Sequence, residues 1–377
     1  MSKIAFINTL KVPSGEASVN RILSLAKGLV ECGDEVDIIT SNVNPDYANG
    51  EKIDGVRIYN LGTSNGIAGL TIALNRIIHH LNRERYKAVI STTNSLLLIY
   101  PLAATCKFIG SKLIQEKSEF PFSLMKKGFV NRIYSHFYVN TTYKLMDAMI
   151  IMTIPLLEYF KDKVRKNCQF IHLPMTVDSS RFDISKTQSD FGDYIAYCGN
   201  MSGNKDGVEN LIDAFGFVLE KNPQLKLLLI GGTDNDEELL KLKQKAAKIS
   251  LDNIIFYGKA SRDIIPSLLK NAKILALARP SGLQSLGGFP TKLGEYLSTG
   301  NPVVVTAVGD IPNYLNDKNS FIVEPDNNKA FGEAISQAYK NPKQSTLIGQ
   351  EGYKLVQSTF EYQIQTKKLH NFIDKLK

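Results

Sequence analysis

Tryptophan is absent from the 377 residues, histidine occurs five times and cysteine four times. Each scarcity removes a class of protein. Cys32, Cys106, Cys168 and Cys198 lie far apart and never form a CxxC pair, which argues against a disulfide framework and a zinc ribbon and favours a reducing compartment. The histidines at 79, 80, 136, 172 and 370 lack metal-ligand spacing, so no metal is expected. No apolar run reaches the ~18–20 residues that cross a bilayer, and the opening MSKIAFINTL lacks the parts of a signal peptide. The expectation is a cytoplasmic protein, soluble or peripheral on a membrane. GxGxxG, GxxxxGK[ST] and HExxH are missing too, so nothing supports a dinucleotide dehydrogenase, a P-loop NTPase or a zinc peptidase.

What remains is a core-forming chain, 43% hydrophobic and 22% charged, with a net charge of +8. Its length suits two domains. Strand-like runs at 3–8, 35–40, 88–92, 112–115 and 148–153 alternate with helical periodicity at 19–30, 70–81 and 124–145. This alternation predicts βαβ units and a parallel sheet. A strand near 169 then runs into a polar stretch, and 183–193 (DISKTQSDFGD) has linker composition. Beyond it the pattern restarts, with strands at 194–198, 226–230, 254–257, 274–278, 303–306 and 320–323 and helices at 207–221, 236–250, 264–271 and 290–298. The predicted fold is α/β, two Rossmann-like domains facing each other across a cleft, with domains 1–182 and 183–355. A last helix, within 356–377, is free to pack on the first domain.

The richest stretch is 287–300, GGFPTKLGEYLSTG. Pro290 suits a first helical position and Gly300 a C-cap. The amides of Thr291, Lys292 and Leu293, the Lys292 charge and the close approach allowed by Gly287 and Gly288 would suit a pyrophosphate. Glu295, one turn on, can accept two hydrogen bonds from a ribose diol. The same residues also describe an ordinary capped helix with a solvated glutamate. In 197–208, YCGNMSGNKDGV, Lys205 sits on a glycine-rich loop after a strand, either reaching phosphate or solvated on a turn. Asp234 and Asp236 read as capping of the following helix rather than as metal ligands.

Together these elements resemble the retaining GT-B glycosyltransferases of family 4, also called group 1 glycosyltransferases, most strongly over 193–336. Ser14-Gly15-Glu16, the HLPMTVDSSRF turn at 172–182, the 199–205 loop, Gly231-Gly232 and the stretch from Gly287 to Val304 fall in the family's order and spacing. The resemblance implies donor phosphate binding by Gly15, Asn200, Lys205, Thr291, Lys292 and Leu293, ribose binding by Glu295, and donor-sugar contacts at Gly287, Gly288 and Phe289. It places the base near Gly231, Gly232 and Lys259. Two positions depart from the family: Gly287 stands where its first motif glutamate is expected, and Asn200 replaces its phosphate-binding arginine. The family's N-terminal-domain histidine is also lacking, and Glu116 and Glu119 are the catalytic nominees facing an acceptor; the plainer alternative is a loop charge pair with Lys117.

Residues 1–180 carry a net +6 and the remainder +2. From Phe120 to Met146 there is no acidic residue, while Lys126, Lys127, Arg132 and Lys144 alternate with aromatics. Such a segment either rests on an anionic membrane or supplies core aromatics with solvated lysines. The resemblance implies transfer of a sugar from a nucleotide-sugar, without cofactor or metal, to a saccharide acceptor, lipid-linked if the membrane reading holds, in bacterial surface polysaccharide synthesis. The alternatives are a non-catalytic nucleotide-binding partner in a membrane polysaccharide complex and a nucleotide-sugar epimerase of the same architecture. No nucleic acid partner is expected.

Overall fold

Runs such as Ile4–Ile7, Leu227–Ile230 and Val303–Val305 are apolar at every position, which a strand tolerates only when covered on both faces. All of their residues are buried. A computed structural model describes the chain except for Gly15, Tyr47, Ser64, Asn65, residues 122–127 and Lys377, and the side chains of Ile67 and Val130. It divides into two units, Met1–Thr176 with Tyr362–Lys377, and Val177–Glu361.

In the first unit, the described residues form strands β1 (Lys3–Asn8), β2 (Glu35–Thr40), β3 (Glu51–Ile53), β4 (Val56–Asn60), β5 (Ala88–Ser91), β6 (Lys112–Lys117), β7 (Ala148–Ile151) and β8 (Gln169–His172). Their order is β3-β4-β2-β1-β5-β6-β7-β8. Every neighbour is parallel except β3 and β4, a hairpin turned by Asp54 and Gly55, both at positive φ. The strand order reverses between β1 and β5. In the second unit, β9 (Tyr194–Asn200), β10 (Lys226–Gly232), β11 (Ile254–Gly258), β12 (Ile274–Leu277), β13 (Val303–Thr306) and β14 (Phe321–Val323) run in the order β11-β10-β9-β12-β13-β14, all parallel. Here the reversal lies between β9 and β12, and parallel sheets bind ligands beyond the strand ends at such a point.

The predicted boundary after Phe182 moves back to residue 176. Val177 bridges Glu361 in parallel and its amide donates to the Phe360 carbonyl at 3.0 Å. Gln357 donates to the Ser179 hydroxyl at 2.7 Å, so the 177–182 segment is fastened to the second unit. The 356–377 tail therefore splits, with 356–360 in the second unit and helix Tyr362–Lys375 in the first. That helix buries Leu369 and Ile373 in the first unit's core cluster, and Leu376, just past its end, joins them. Gly28 gives it room: a Cβ there would come 2.3 Å from the Thr366 hydroxyl oxygen. Among the described residues, no helix is long and apolar enough to cross a membrane.

Candidate functional site

The β9 and β12 ends of the second unit gather most of the residues singled out above. β9 ends at Gly199 and Asn200, and a 3-10 turn, Ser202–Asn204, delivers Lys205 and Asp206. Gly207, at φ 73°, lets this loop pass under the end of β12, because a Cβ would sit 1.7 Å from the Ala278 carbonyl oxygen. From the other side come Leu283–Gly287, a five-residue helix, and the seven-residue helix Lys292–Ser298. The Tyr296 hydroxyl, fully buried, accepts from the Cys198 amide at 2.7 Å and ties that second helix to β9.

Asp206 is the electrostatic centre of the cluster. Its carboxylate pairs with the Lys292 ammonium, lies 3.5 Å from Arg279 Nε, and sits 3.2 Å from the Tyr197 hydroxyl. Burial would raise this carboxyl, but Lys292, Arg279 and Lys205 together hold it below the usual carboxylate value. Arg279, 1% exposed, also donates to the Gly288 carbonyl at 3.0 Å and to the Lys205 carbonyl at 3.4 Å. One guanidinium thus joins both loops to the end of β12. Lys292 lies over the Tyr197 ring and donates to its hydroxyl at 3.1 Å. Gly199, at φ 156°, leaves the space that Lys292 occupies, since a Cβ there would come 2.3 Å from Nζ and displace the ammonium. With three cations around one carboxylate, the loop end carries an excess of positive charge suited to an anion.

Glu295 projects from the same helix and is partly open to solvent. Arg181 Nη1 donates to its Oε1 at 2.9 Å. Burial first, then Glu295, pushes the Cys198 thiol up to about 12, while Lys292 and Arg181 pull it down. All three charges therefore converge on the end of β9. Asn200 holds Asp234 Oδ1 at 3.0 Å and accepts from the Ser202 amide at 2.8 Å. Gly231 packs against the Gly199 backbone, Gly232 pairs with Asn200, and the stem of exposed Lys259 lies 3.5 Å from where a Gly232 Cβ would be. Asn235 caps helix Asp236–Ala247 by accepting from the Glu238 amide at 2.8 Å.

Several expectations need correction. The Leu293 amide donates to the Pro290 carbonyl at 3.0 Å and is engaged in a turn, leaving Thr291 and Lys292 as the amide candidates. Phe289 is 5% exposed and packs on Tyr314 and Phe360, so its ring belongs to the core and not to a sugar pocket. Gly287 closes a short helix rather than a loop, and it is buried. In the first unit Glu116 does not face an acceptor. It is buried, and Arg21 Nε holds its Oε1 at 2.8 Å while the same guanidinium donates to the Leu173 and Pro174 carbonyls. An unpaired charge there would be costly, so the pair braces three chain segments. Glu119 is half-buried in the loop after β6, and Gly15 lies outside the described residues. Lys117 is no loop lysine either: it is 4% exposed at the end of β6, bonded to Asn94 and 5.6–5.7 Å from the Tyr138 and Tyr143 ring centres.

The 120–146 segment divides. Phe120, Tyr138 and Tyr143 are core, whereas Phe129, Ile133 and Phe137 are 77, 56 and 50% exposed along one face of helix Phe129–Thr141. Lys126 and Lys127 lie outside the described residues.

Sequence reasoning missed Arg279, Asp206, Tyr197 and Arg181. Arg279 did leave a signal, being a charge placed directly after the buried run ILALA at a strand end. Asp206 adjoins the lysine that was singled out, but its inward turn depends on two cations distant in sequence.

Residues 192–341 match the family model described as Glycosyl transferases group 1. Among curated relatives, the chain is 23% identical over 181 residues to mannosylfructose-phosphate synthase of Agrobacterium fabrum, covering 45% of this chain and 38% of that one. It is 26% identical over 187 residues to the capsular polysaccharide biosynthesis glycosyltransferase CapM of Staphylococcus aureus, covering 47% of this chain and 44% of that one. The chain thus spans less than half the length of either relative. Among solved structures, sucrose-phosphate synthase from Thermosynechococcus elongatus superposes with a TM-score of 0.80 at 17% identity, covering 100% of this chain and 99% of that one. Anabaena Alr3699/HepE in complex with UDP-glucose gives 0.75 at 14%, covering 99% and 100%. At such identities what is shared is the fold, that of the GT-B glycosyltransferases. The chain thus has the fold of the GT-B glycosyltransferases, and residues 192–341 of its second unit match the group 1 glycosyltransferase model.

Proposed function

We propose that the chain transfers a glycosyl group from a nucleotide-sugar to a saccharide acceptor in the synthesis of a bacterial surface polysaccharide. The observation that carries this reading is the convergence of Glu295 with the Lys292–Asp206–Arg279 cluster at the point where the second sheet reverses its strand order. A nucleoside diphosphate needs a polar acceptor for its ribose and positive charge for its phosphates, and this site offers both within one helix. The capsular relative and the UDP-glucose-bound structural neighbour support the same class of substrates.

In the reaction we assign, the bond between the donor's anomeric carbon and its diphosphate oxygen breaks as an acceptor hydroxyl oxygen bonds that carbon from the same face. The hydroxyl proton passes to the departing diphosphate, so configuration is retained and charge balances. Lys292, Lys205 and the Thr291 and Lys292 amides stabilise the diphosphate as it leaves, the kind of preorganised electrostatics that lowers such barriers. No metal is required in this assignment. The acceptor is lipid-linked, and the exposed Phe129, Ile133 and Phe137 face, with Arg132 and Lys144 and no acidic residue from 120 to 146, rests on the anionic inner surface of the cell membrane.

Calorimetric titration with UDP, GDP and ADP in the presence of a chelator tests the donor site. One of the three is expected to bind, and Glu295→Ala is expected to weaken it by about 1.5–3 kcal/mol, the range for a hydrogen bond to a charged group. Unchanged affinity would remove the ribose assignment, and binding without turnover of any nucleotide-sugar would favour the non-catalytic partner.

A further inference from the structure

Arg181 stands in the 3-10 turn Ser179–Phe182, which the Val177–Glu361 bridge and the Gln357–Ser179 hydrogen bond attach to the second unit. Its guanidinium is held at three points. Nη1 donates to Glu295 Oε1 at 2.9 Å, Nη2 donates to the Arg262 carbonyl at 3.2 Å, and Cζ lies 5.6 Å from the centre of the buried Phe182 ring. The ion pair is neither buried nor free in solvent, with the two side chains 24% and 28% exposed. Among the described residues, Arg181 is the cation paired with Glu295, and it engages one carboxylate oxygen.

We propose that Arg181 is a positioning residue for ribose recognition, one that fixes the Glu295 carboxylate so that Oε2 is presented to the donor's diol. The inference rests on the ribose reading of Glu295. A glutamate on a short, partly exposed helix samples several rotamers, and ordering it on binding weakens the complex. Arg181 removes that freedom in advance. Its planar fork suits the task, because one nitrogen holds the carboxylate while a second is fixed by a backbone carbonyl, a geometry that the point charge of lysine reproduces only in part. Arg181 itself need not touch the nucleotide, since its effect passes through Glu295.

The readout is a ratio of affinities. UDP, GDP and ADP and their 2′,3′-dideoxy counterparts are titrated into the full chain, and the ratio for the nucleotide that binds measures what the diol contributes. In the unsubstituted protein the diol is expected to strengthen binding about 10- to 100-fold, as for a hydrogen bond to a charged group. Arg181→Met is expected to reduce the ratio to within about 3-fold of unity, and Arg181→Lys to restore part of it. Damage to the fold alone would weaken both nucleotides equally and leave the ratio unchanged, so an unchanged ratio overturns the inference. A ratio raised by Arg181→Met, through tighter binding of the diol-bearing nucleotide alone, would make Arg181 a competitor of the diol and would also overturn it. Glu295→Gln run in parallel separates the two claims. If it abolishes the ratio while Arg181→Met preserves it, the positioning role alone fails. If Glu295→Gln preserves the ratio, or if no nucleotide binds, the ribose reading fails and the inference with it.

Discussion

Asp206→Ala is expected to lower the stability of the second unit by about 3–5 kcal/mol, the range for removing one partner of a buried charge cluster. The substitution leaves Arg279, at 1% exposure, and Lys292, at 15% of its side chain, without their shared carboxylate. Two desolvated cations would then face each other across the end of β9. Scanning calorimetry should show the transition that contains the second unit falling by roughly 6–20 °C, given ~2–4 °C per kcal/mol for a unit of this size. The pH dependence follows from the same contacts. Because the Asp206 carboxyl is held below its ordinary value in the folded chain, its contribution is complete above the unfolded carboxylate value near ~4 and is lost as pH falls through the lower folded value. The Asp206→Ala protein should therefore lose less stability than the unsubstituted protein on acidification through that window. A loss under about 1 kcal/mol at pH 7 would show that the cluster is solvated and that Arg279 does not depend on Asp206.

The first unit offers the opposite case, a buried charge whose removal is expected to stabilise. Lys117 has no paired carboxylate among the described residues. Its ammonium meets the Asn94 side chain and two tyrosine rings. Burial pushes it down from the ordinary 10.5 to about 8, against a smaller opposing effect of Glu116. Between those two values the unfolded chain holds a proton that the folded chain has released, so stability rises with pH from about 8 toward 10.5. Below pH 8 the folded chain carries the full cost of the buried charge, about 3 kcal/mol by the linkage relation. Lys117→Met keeps the length and the apolar stem but not the charge. It is expected to gain about 2–3 kcal/mol at pH 7 after allowing for the lost Asn94 hydrogen bond, with the gain shrinking as pH rises through 8–10. Buried tyrosines and cysteines titrate with the opposite sign in alkaline solution, so the comparison is the difference between the two proteins at each pH, measured by urea unfolding. A difference that stays constant from pH 7 to 10 would contradict a buried ammonium.

The two sheets were legible because their strands announce themselves. Uninterrupted apolar runs separated by amphipathic stretches leave few arrangements besides βαβ units. The Glu51–Asn60 hairpin escaped notice although Asp54-Gly55 is a strong turn signal, because its strands are short and β3 is largely exposed. Helix Leu96–Ile109 escaped for another reason: LLLIYPLAATCKFI is apolar almost throughout, so it has no face for periodicity to detect. At the site, Lys205, Lys292 and Glu295 stood out because glycines and a helix start surround them. Asp206, Arg279 and Arg181 did not, since their roles depend on partners up to 114 residues away. Glu116 shows the converse. Its position after a strand suggests an open carboxylate, but Arg21, 95 residues earlier, turns it inward.

If the proposed function holds, a nucleotide-sugar binds at the ends of β9 and β12 in the second unit. Hydrogen–deuterium exchange of the full chain, with and without saturating UDP, GDP or ADP, locates the bound nucleotide directly. Slowed exchange is expected only in the 199–208 loop, the 279–295 segment and the Arg181 turn for the nucleotide that binds. Protection absent from all three segments, or present only in the first unit, would contradict that placement.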